Sequence, residues 1–215
     1  MTRLIVVRHG ESEGNAKNEF HGQYNSDLTE KGHRQAECTA VYLDKFRIDA
    51  IYASDIRRAF STAKHTADRR GMTVIPDAGL REINAGEWEQ MKFDDIAARY
   101  PETYRTWRED IAHCRCPGGE SVEELRDRVK AAFERIAAEN DGKTVMIATH
   151  ATPLRVMRCV WKNEPLTTMT TAKWVPNASV SVVDYDNHGN YEVILYGESE
   201  HLVAAGLFTE LSKKI

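Results

Sequence analysis

The stretch Leu4-Ile5-Val6-Val7-Arg8-His9-Gly10-Glu11-Ser12-Glu13-Gly14-Asn15 decides how the rest of the chain is read. Four apolar, mostly β-branched residues in a row have the pattern of a strand buried on both faces. The run stops at a cation, an imidazole and a glycine. In open α/β sheets, ligands sit beyond the carboxyl ends of the strands. Arg8 and His9 fall where that rule expects chemistry, and Gly10 is expected to let the backbone turn close to a bound group. Packing alone does not account for a buried strand that delivers Arg-His-Gly. His9 is read as a nucleophile and the stretch as half of a phosphate site.

Two further apolar runs end the same way. Asp49 to Ala53 stops at Ser54-Asp55, and Thr144 to Ala148 stops at Thr149-His150. Helical spacing follows each strand. Thr29 is the expected N-cap of a helix whose apolar positions are Ala36, Ala40, Leu43 and Phe46. Ala59, Ala63 and Ala67 mark a second helix with a small-residue face. Thr152-Pro153 is expected to open a third, with proline in its first position. Arg57 and Arg58 lie in the first turn of the second helix, where the dipole disfavours cations. The placement points to another task for one of the two, such as clamping an anion at the helix start, with solvated surface arginines as the alternative. The alternation of strands and helices implies an α/β protein with a mostly parallel sheet and helices on both faces. Right-handed crossovers bring the three chemistry-bearing strand ends to one edge.

The remaining stretches are less informative. Ala16 to Asp27 reads as a polar loop, Thr73 to Ile75 as a short strand, and Leu80 to Glu89 as a charged loop around Trp88. Residues 93–112 hold two helical patterns around Pro101, with Tyr100, Tyr104 and Trp107 as aromatic packing anchors. Ser121-Val122-Glu123-Glu124 is a capping box ahead of an amphipathic helix. Val180 to Tyr185 and Tyr191 to Tyr196 alternate around Asp186-Asn187-His188-Gly189-Asn190, as in an antiparallel hairpin near the sheet edge. His33 and His65 fall within helices as surface or packing residues, whereas His113, His188 and His201 fall in loops or the tail. No linker divides the 215 residues, so one domain is expected, with a lid-like insert at 91–117.

Composition narrows the class. The chain is 41% hydrophobic and 29% charged with a formal net charge of −4, which speaks against nucleic acid as a partner. No apolar run is long enough for a membrane span, and the first strand begins at once, leaving no room for a signal peptide. Cys38, Cys114, Cys116 and Cys159 make no disulfide framework. The Cys114-Arg115-Cys116 spacing is not that of a zinc or redox pair. A reduced, cytoplasmic enzyme is expected.

Two histidines and several arginines at one sheet edge suit a phosphoryl dianion, whose oxygens guanidinium forks bind in a bidentate way. A neutral imidazole attacks phosphorus and splits one displacement into two. The leaving alkoxide needs a proton, usually from a carboxylic acid.

Arg8-His9-Gly10-Glu11 with Asn15, Ser54-x-x-x-Arg58-Ala59-x-x-Thr62-Ala63, Leu80-Arg81-Glu82 and Thr149-His150 resemble the histidine phosphatase superfamily, which includes cofactor-dependent phosphoglycerate mutases and many small phosphatases. Asp27 to Gly32, Pro117 to Ser121 and Pro176 to Val180 extend the resemblance over most of the chain. It implies a three-layer, phosphoglycerate mutase-like fold. It also implies His9 as the phosphorylated nucleophile, Arg8, Arg58 and His150 as the phosphate pocket, Glu82 as general acid, and Asn15 as a hydrogen-bond donor to the phosphate. His21, Gly22, Gln23 and Ala151 are expected beside the substrate. No metal and no cofactor is implied.

The chain departs from the family pattern at Ala151 and Gln90, where glycines are usual, and at Gly22-Gln23, where mutases carry Gly-Trp. The first tightens the backbone near the phosphate, and the other two bear on the leaving-group side. The compact insert before Pro117 resembles the phosphatase branch, so a phosphomonoesterase acting on a small metabolite is expected, with a mutase as the alternative. A non-catalytic binding module leaves Glu82 without a purpose. A metallohydrolase built on His9, His150 and Glu82 conflicts with arginines that repel a dication. A homodimer through the sheet edge is compatible with this reading.

Overall fold

The protein is described by a computed structural model, in which residues 1–172, 174–186 and 188–209 are described. Its centre is a six-stranded sheet in the order β4-β3-β6-β1-β7-β8. The strands are β1 (Thr2–Arg8), β3 (Ala50–Ala53), β4 (Val74–Pro76), β6 (Thr144–Thr149), β7 (Val180–Tyr185) and β8 (Tyr191–Glu198). β1 runs parallel to β6, β6 to β3, and β3 to β4; β7 and β8 are antiparallel additions at one side. A separate two-stranded pair joins β2 (Glu19–Phe20) to β5 (Met91–Lys92).

The apolar run of β1 is continuous because helices cover both faces of the strand. Leu4 and Val6 belong to one core with Leu125, Phe133, Leu154 and Met157. These come from α6 (Val122–Glu139) and α7 (Ala151–Trp161). Ile5 and Val7 belong to the other, with Ala63 and Ala67 of α3 (Arg57–Arg70). α2 (Glu30–Tyr42) packs beside α3. This is the three-layer α/β architecture expected from the sequence, with the antiparallel strand pair at its carboxyl side.

Local chemistry fixes the helix starts. Thr29 Oγ1 caps α2 by accepting from Gly32 N at 3.0 Å, and Ser121 with Glu124 forms the capping box of α6. α7 starts earlier than expected: His150 is its N-cap and Ala151 its first residue, so Pro153 is third, still among positions whose N–H has no intrahelical partner. Gly10 also differs from expectation. A Cβ on it would meet the Gly32 carbonyl oxygen at 2.5 Å, and one on Gly32 would meet Glu11 O at 2.0 Å. The glycine pair lets the turn after β1 lie against the first turn of α2, so the close neighbour of Gly10 is protein backbone.

Three stretches carry more structure than their sequence suggested. The polar loop contains the end of α1 (Glu13–Lys17), capped by Ser12 and Asn15, followed by β2. The charged loop contains a 3₁₀ turn at Gly86–Trp88, in which Trp88 is completely buried. His201 lies in α8 (Glu200–Ala204), stacked on Tyr42 at 4.3 Å. The insert forms α4 (Phe93–Arg99) and α5 (Pro101–Glu109) on either side of the Tyr100–Pro101 step. Its aromatic anchors pack as expected: Trp107 meets Phe20 at 5.1 Å, and Tyr100 and Tyr104 flank Trp88. Burial pushes the Cys114 thiol up to about 12, so it stays protonated and unreactive. The tip of the carboxyl-side hairpin includes Asn187, which lies outside the described residues, as do residues 210–215 of the tail. Among the described residues, no helix is long and apolar enough to cross a membrane.

Candidate active site

The carboxyl end of β1 and the first turns of the helices that follow β3 and β6 border one cavity, lined by Arg8, His9, Asn15, His21, Gly22, Arg58, Glu82 and Ala151; His150 lies behind that lining. His9 follows β1 directly and its backbone is held from both sides. Its N–H donates to Thr149 O at 2.9 Å, and its carbonyl accepts from Ala178 N at 3.1 Å and from Asn177 Nδ2 at 3.0 Å. Ala178 adopts a φ of 56°, a left-handed conformation that costs an alanine about 1–2 kcal/mol. The bond to His9 and one from Thr39 Oγ1 to Ala178 O, 2.9 Å, fix it there.

The His9 imidazole lies 2.6 Å from Gly10 O through Nδ1. A carbonyl only accepts, so Nδ1 carries the proton and Nε2 keeps its lone pair. Burial, reinforced by the charges of Arg58 and Arg8, holds the imidazole well below its usual range, so it is neutral. His150 is fully buried beside it, with ring centroids 5.1 Å apart. Burial and Arg58 likewise hold His150 neutral. Its Nε2 is 2.9 Å from Ser54 Oγ, just past the end of β3, while its Nδ1 has no partner among the described residues.

The two arginines are fixed through carbonyls. Arg8 Nη1 donates to Val175 O at 2.5 Å; Arg58 donates to Tyr24 O at 2.9 Å and Gly22 O at 2.6 Å. Burial pushes each guanidinium down to about 10, so both remain charged at neutral pH. This settles which of the adjacent arginines faces inward: Arg58 is 2% exposed, whereas Arg57 points to solvent and its backbone N–H is capped by Asn25. Thr62 Oγ1 links the parts, donating to Arg58 O at 2.7 Å and accepting from Gly10 N at 3.0 Å. Two buried cations facing one cavity, with no carboxylate bonded to either among the described residues, form a site built for an anion.

Glu82 reaches the cavity from the loop after β4. Its Oε1 accepts from Ile83 N at 2.8 Å and its Oε2 from Thr152 N at 3.2 Å, in the first turn of α7. Arg128 of α6 holds the loop by donating to Gly79 O, Arg81 O and Glu82 O at 3.0–3.1 Å, while Glu120 anchors the guanidinium. Asn15 Oδ1 accepts from Ser12 N and Asn177 Nδ2, leaving its own Nδ2 to donate. His21 lines the cavity and bonds Glu19. Gln23 does not line it: its amide donates to Glu82 O at 3.1 Å, beneath the wall.

Sequence reading missed Asn177, Ser54, Thr62 and Arg128. The first lies in the quoted Pro176-Asn177-Ala178-Ser179 stretch, and Ser54 and Thr62 in the quoted Ser54-to-Ala63 pattern. Arg128 gave no signal, being a polar position on a helix. The aromatic part of the wall, Phe20, Phe93, Trp107 and Trp174, comes from four separate segments. Among the described residues, no group of three or more histidine, cysteine or acidic side chains is arranged to hold a metal ion.

Residues 4–197 match the model of the histidine phosphatase superfamily (branch 1). The chain is 33% identical to phosphoserine phosphatase 1 of Hydrogenobacter thermophilus, over 88% of this chain and 90% of that protein. It is 32% identical to a probable phosphoglycerate mutase of Shigella boydii, over 96% and 98% of the two chains. Among solved structures, it superposes on Bacillus stearothermophilus YhfR with a TM-score of 0.90 and 29% identity, covering 94% of this chain and all of that one.

Proposed function

The chain belongs to the histidine phosphatase superfamily, branch 1, and from that we propose that it hydrolyses a small phosphomonoester through a phosphohistidine on His9. The observation that carries this reading is the His9 Nδ1–H donated to Gly10 O, which leaves Nε2 as the attacking atom. In the first step the Nε2 lone pair forms the N–P bond as the P–O bond to the alcohol breaks. Glu82, in its acid form, gives the alkoxide its proton. In the second step a water oxygen attacks phosphorus, the N–P bond breaks, the water proton returns to Glu82 and orthophosphate leaves. Arg8, Arg58, His150 and the Asn15 amide bind the phosphoryl oxygens and meet the charge that develops on them. The insert at 91–117 acts as a wall on the leaving-group side.

The test is phosphate release from para-nitrophenyl phosphate, without metal or bisphosphoglycerate, by wild type and His9→Ala. Release that falls by at least about a thousandfold in the variant, with an acid-labile phosphoenzyme trapped only in wild type, supports the reading. Release unchanged in His9→Ala overturns it. The Shigella relative's name favours a second reading, a phosphoglycerate mutase, which predicts interconversion of the phosphoglycerate isomers and little hydrolysis.

A further inference from the structure

Besides the two arginines, the cavity wall carries four aromatic rings together with Glu19. Among the described residues, no lysine and no arginine other than Arg8 and Arg58 lines it. Arg155 is close but lies behind the wall: its guanidinium stacks on Trp174 at 3.9 Å, donates to Met169 O, and its remaining nitrogens are buried.

Glu19 is held in place. Its Oε2 lies 2.9 Å from His21 Nε2. The His21 ring is clamped in turn, edge-to-face with Tyr24 at 5.3 Å and so close to Gly14 that a Cβ there would meet it at 2.5 Å. The backbone of Glu19 is paired with Lys92 across the small sheet. Oε1 makes no hydrogen bond among the described residues, and at 19% exposure the carboxylate is only partly solvated. A fixed carboxylate with one oxygen unspent, beside aromatic rings, favours a cation or a hydroxyl donor and repels an acid.

Building on the phosphatase reading, we propose that Glu19 is a specificity-determining residue. It selects phosphomonoesters whose alcohol part carries an ammonium or hydroxyl group over those carrying a carboxylate. Glu19 Oε1 accepts the hydrogen bond from that group, and His21 is the positioning residue that aims the carboxylate. No bond changes order at this contact.

The experiment measures binding by calorimetry on His9→Ala, which retains the cavity and cannot form a phosphoenzyme. The probes are phosphoethanolamine, glycerol phosphate and phosphoglycolate. The amine and the alcohol are expected to bind at least about tenfold more tightly than the acid, the factor that about 1.4 kcal/mol represents. Glu19→Gln in the same background is expected to narrow the spread to about threefold, and Glu19→Lys to invert it. Phosphoglycolate binding as tightly as the other two, or an order that survives Glu19→Gln, overturns the proposal. Wild-type turnover of para-nitrophenyl phosphate is scored separately. Its failure would sink the reaction assignment, while the order of the three dissociation constants would still decide the role of Glu19.

Discussion

The phosphate end of the cavity and its leaving-group side are built by different means. At the phosphate end, Arg8, His9, Arg58 and His150 stand at a strand end or at the start of a helix. The backbone of His9 is hydrogen-bonded on both sides, to Thr149 and Ala178. On the leaving-group side, Phe20, Phe93, Trp107 and Trp174 meet from a two-residue strand, two short helices and a loop. The first region stores electrostatic cost, with two buried guanidiniums and two imidazoles held neutral. The second stores shape. Changes at the first should therefore act on every substrate, and changes at the second substrate by substrate.

The largest effect of that kind is expected from Arg58→Met, which keeps the length of the side chain and removes its charge. Losing one preorganised donor at a transferring group costs about a hundred- to a thousandfold in kcat/KM. The loss should be similar for aryl and alkyl phosphates. A loss confined to one class of substrate would show that Arg58 also reads the leaving group.

Glu82→Gln sits on the boundary between the two regions. The amide cannot supply a proton, so turnover of alkyl phosphates should fall by about a hundredfold. Aryl phosphates, whose alcohols leave as stable anions, should lose less. Equal losses for both classes would remove Glu82 from the role of general acid and leave it as a cap on α7, through its bond to Thr152 N.

The contrast also explains what could be read from the sequence. Arg8, His9 and His150 were legible because each follows a run of buried β-branched or apolar residues, and parallel strands deliver their ends to one edge whatever the loops do. Arg58 against Arg57 was decidable from sequence only through the family pattern, since both violate the helix dipole equally. That β6 lies between β1 and β3 was not legible, because crossover rules fix handedness and leave strand order open. On the leaving-group side, the β2–β5 pairing is two residues long. No periodicity announces so short a strand, so Phe20 and Glu19 appeared to be loop. Gly10 was misjudged for a related reason: a close approach is visible in sequence, while the partner, here Gly32, is not.

The stored electrostatic cost predicts a pH dependence. The unfolded imidazoles titrate near 6.5, whereas His9 and His150 in the fold titrate well below it. Between those limits the unfolded chain binds more protons, so stability should fall as the pH drops below the unfolded value, by about 1.4 kcal/mol per histidine per pH unit. Thermal melting from neutral to acid pH checks it. His150→Gln should flatten the slope relative to wild type, whatever it does to the melting temperature at neutral pH. The same downward shift keeps His9 unprotonated into mildly acid solution, so the acid limb of kcat/KM should lie below 6.5.

The smallest effect is expected at Gln90, on the leaving-group side. This residue has a φ of 66°, a left-handed conformation, at the step between Trp88 and β5. Its N–H donates to Phe20 O at 2.8 Å, which fixes the conformation by tying the turn to β2. A side chain there costs about 1–2 kcal/mol relative to its preferred conformations. Glycine escapes that cost and gives back about 0.5–1 kcal/mol through the entropy of its unfolded state. The difference favours Gln90→Gly by about 0.5 kcal/mol, measurable as a raised denaturant midpoint with an unchanged slope. Phosphate release from an aryl phosphate should keep its kcat, because Gln90 is not among the residues that line the cavity. A stabilised variant with a shifted KM would mean that the strain is used to set the Phe20 wall. A destabilised variant would mean that the Gln90 side chain contributes more than its backbone costs.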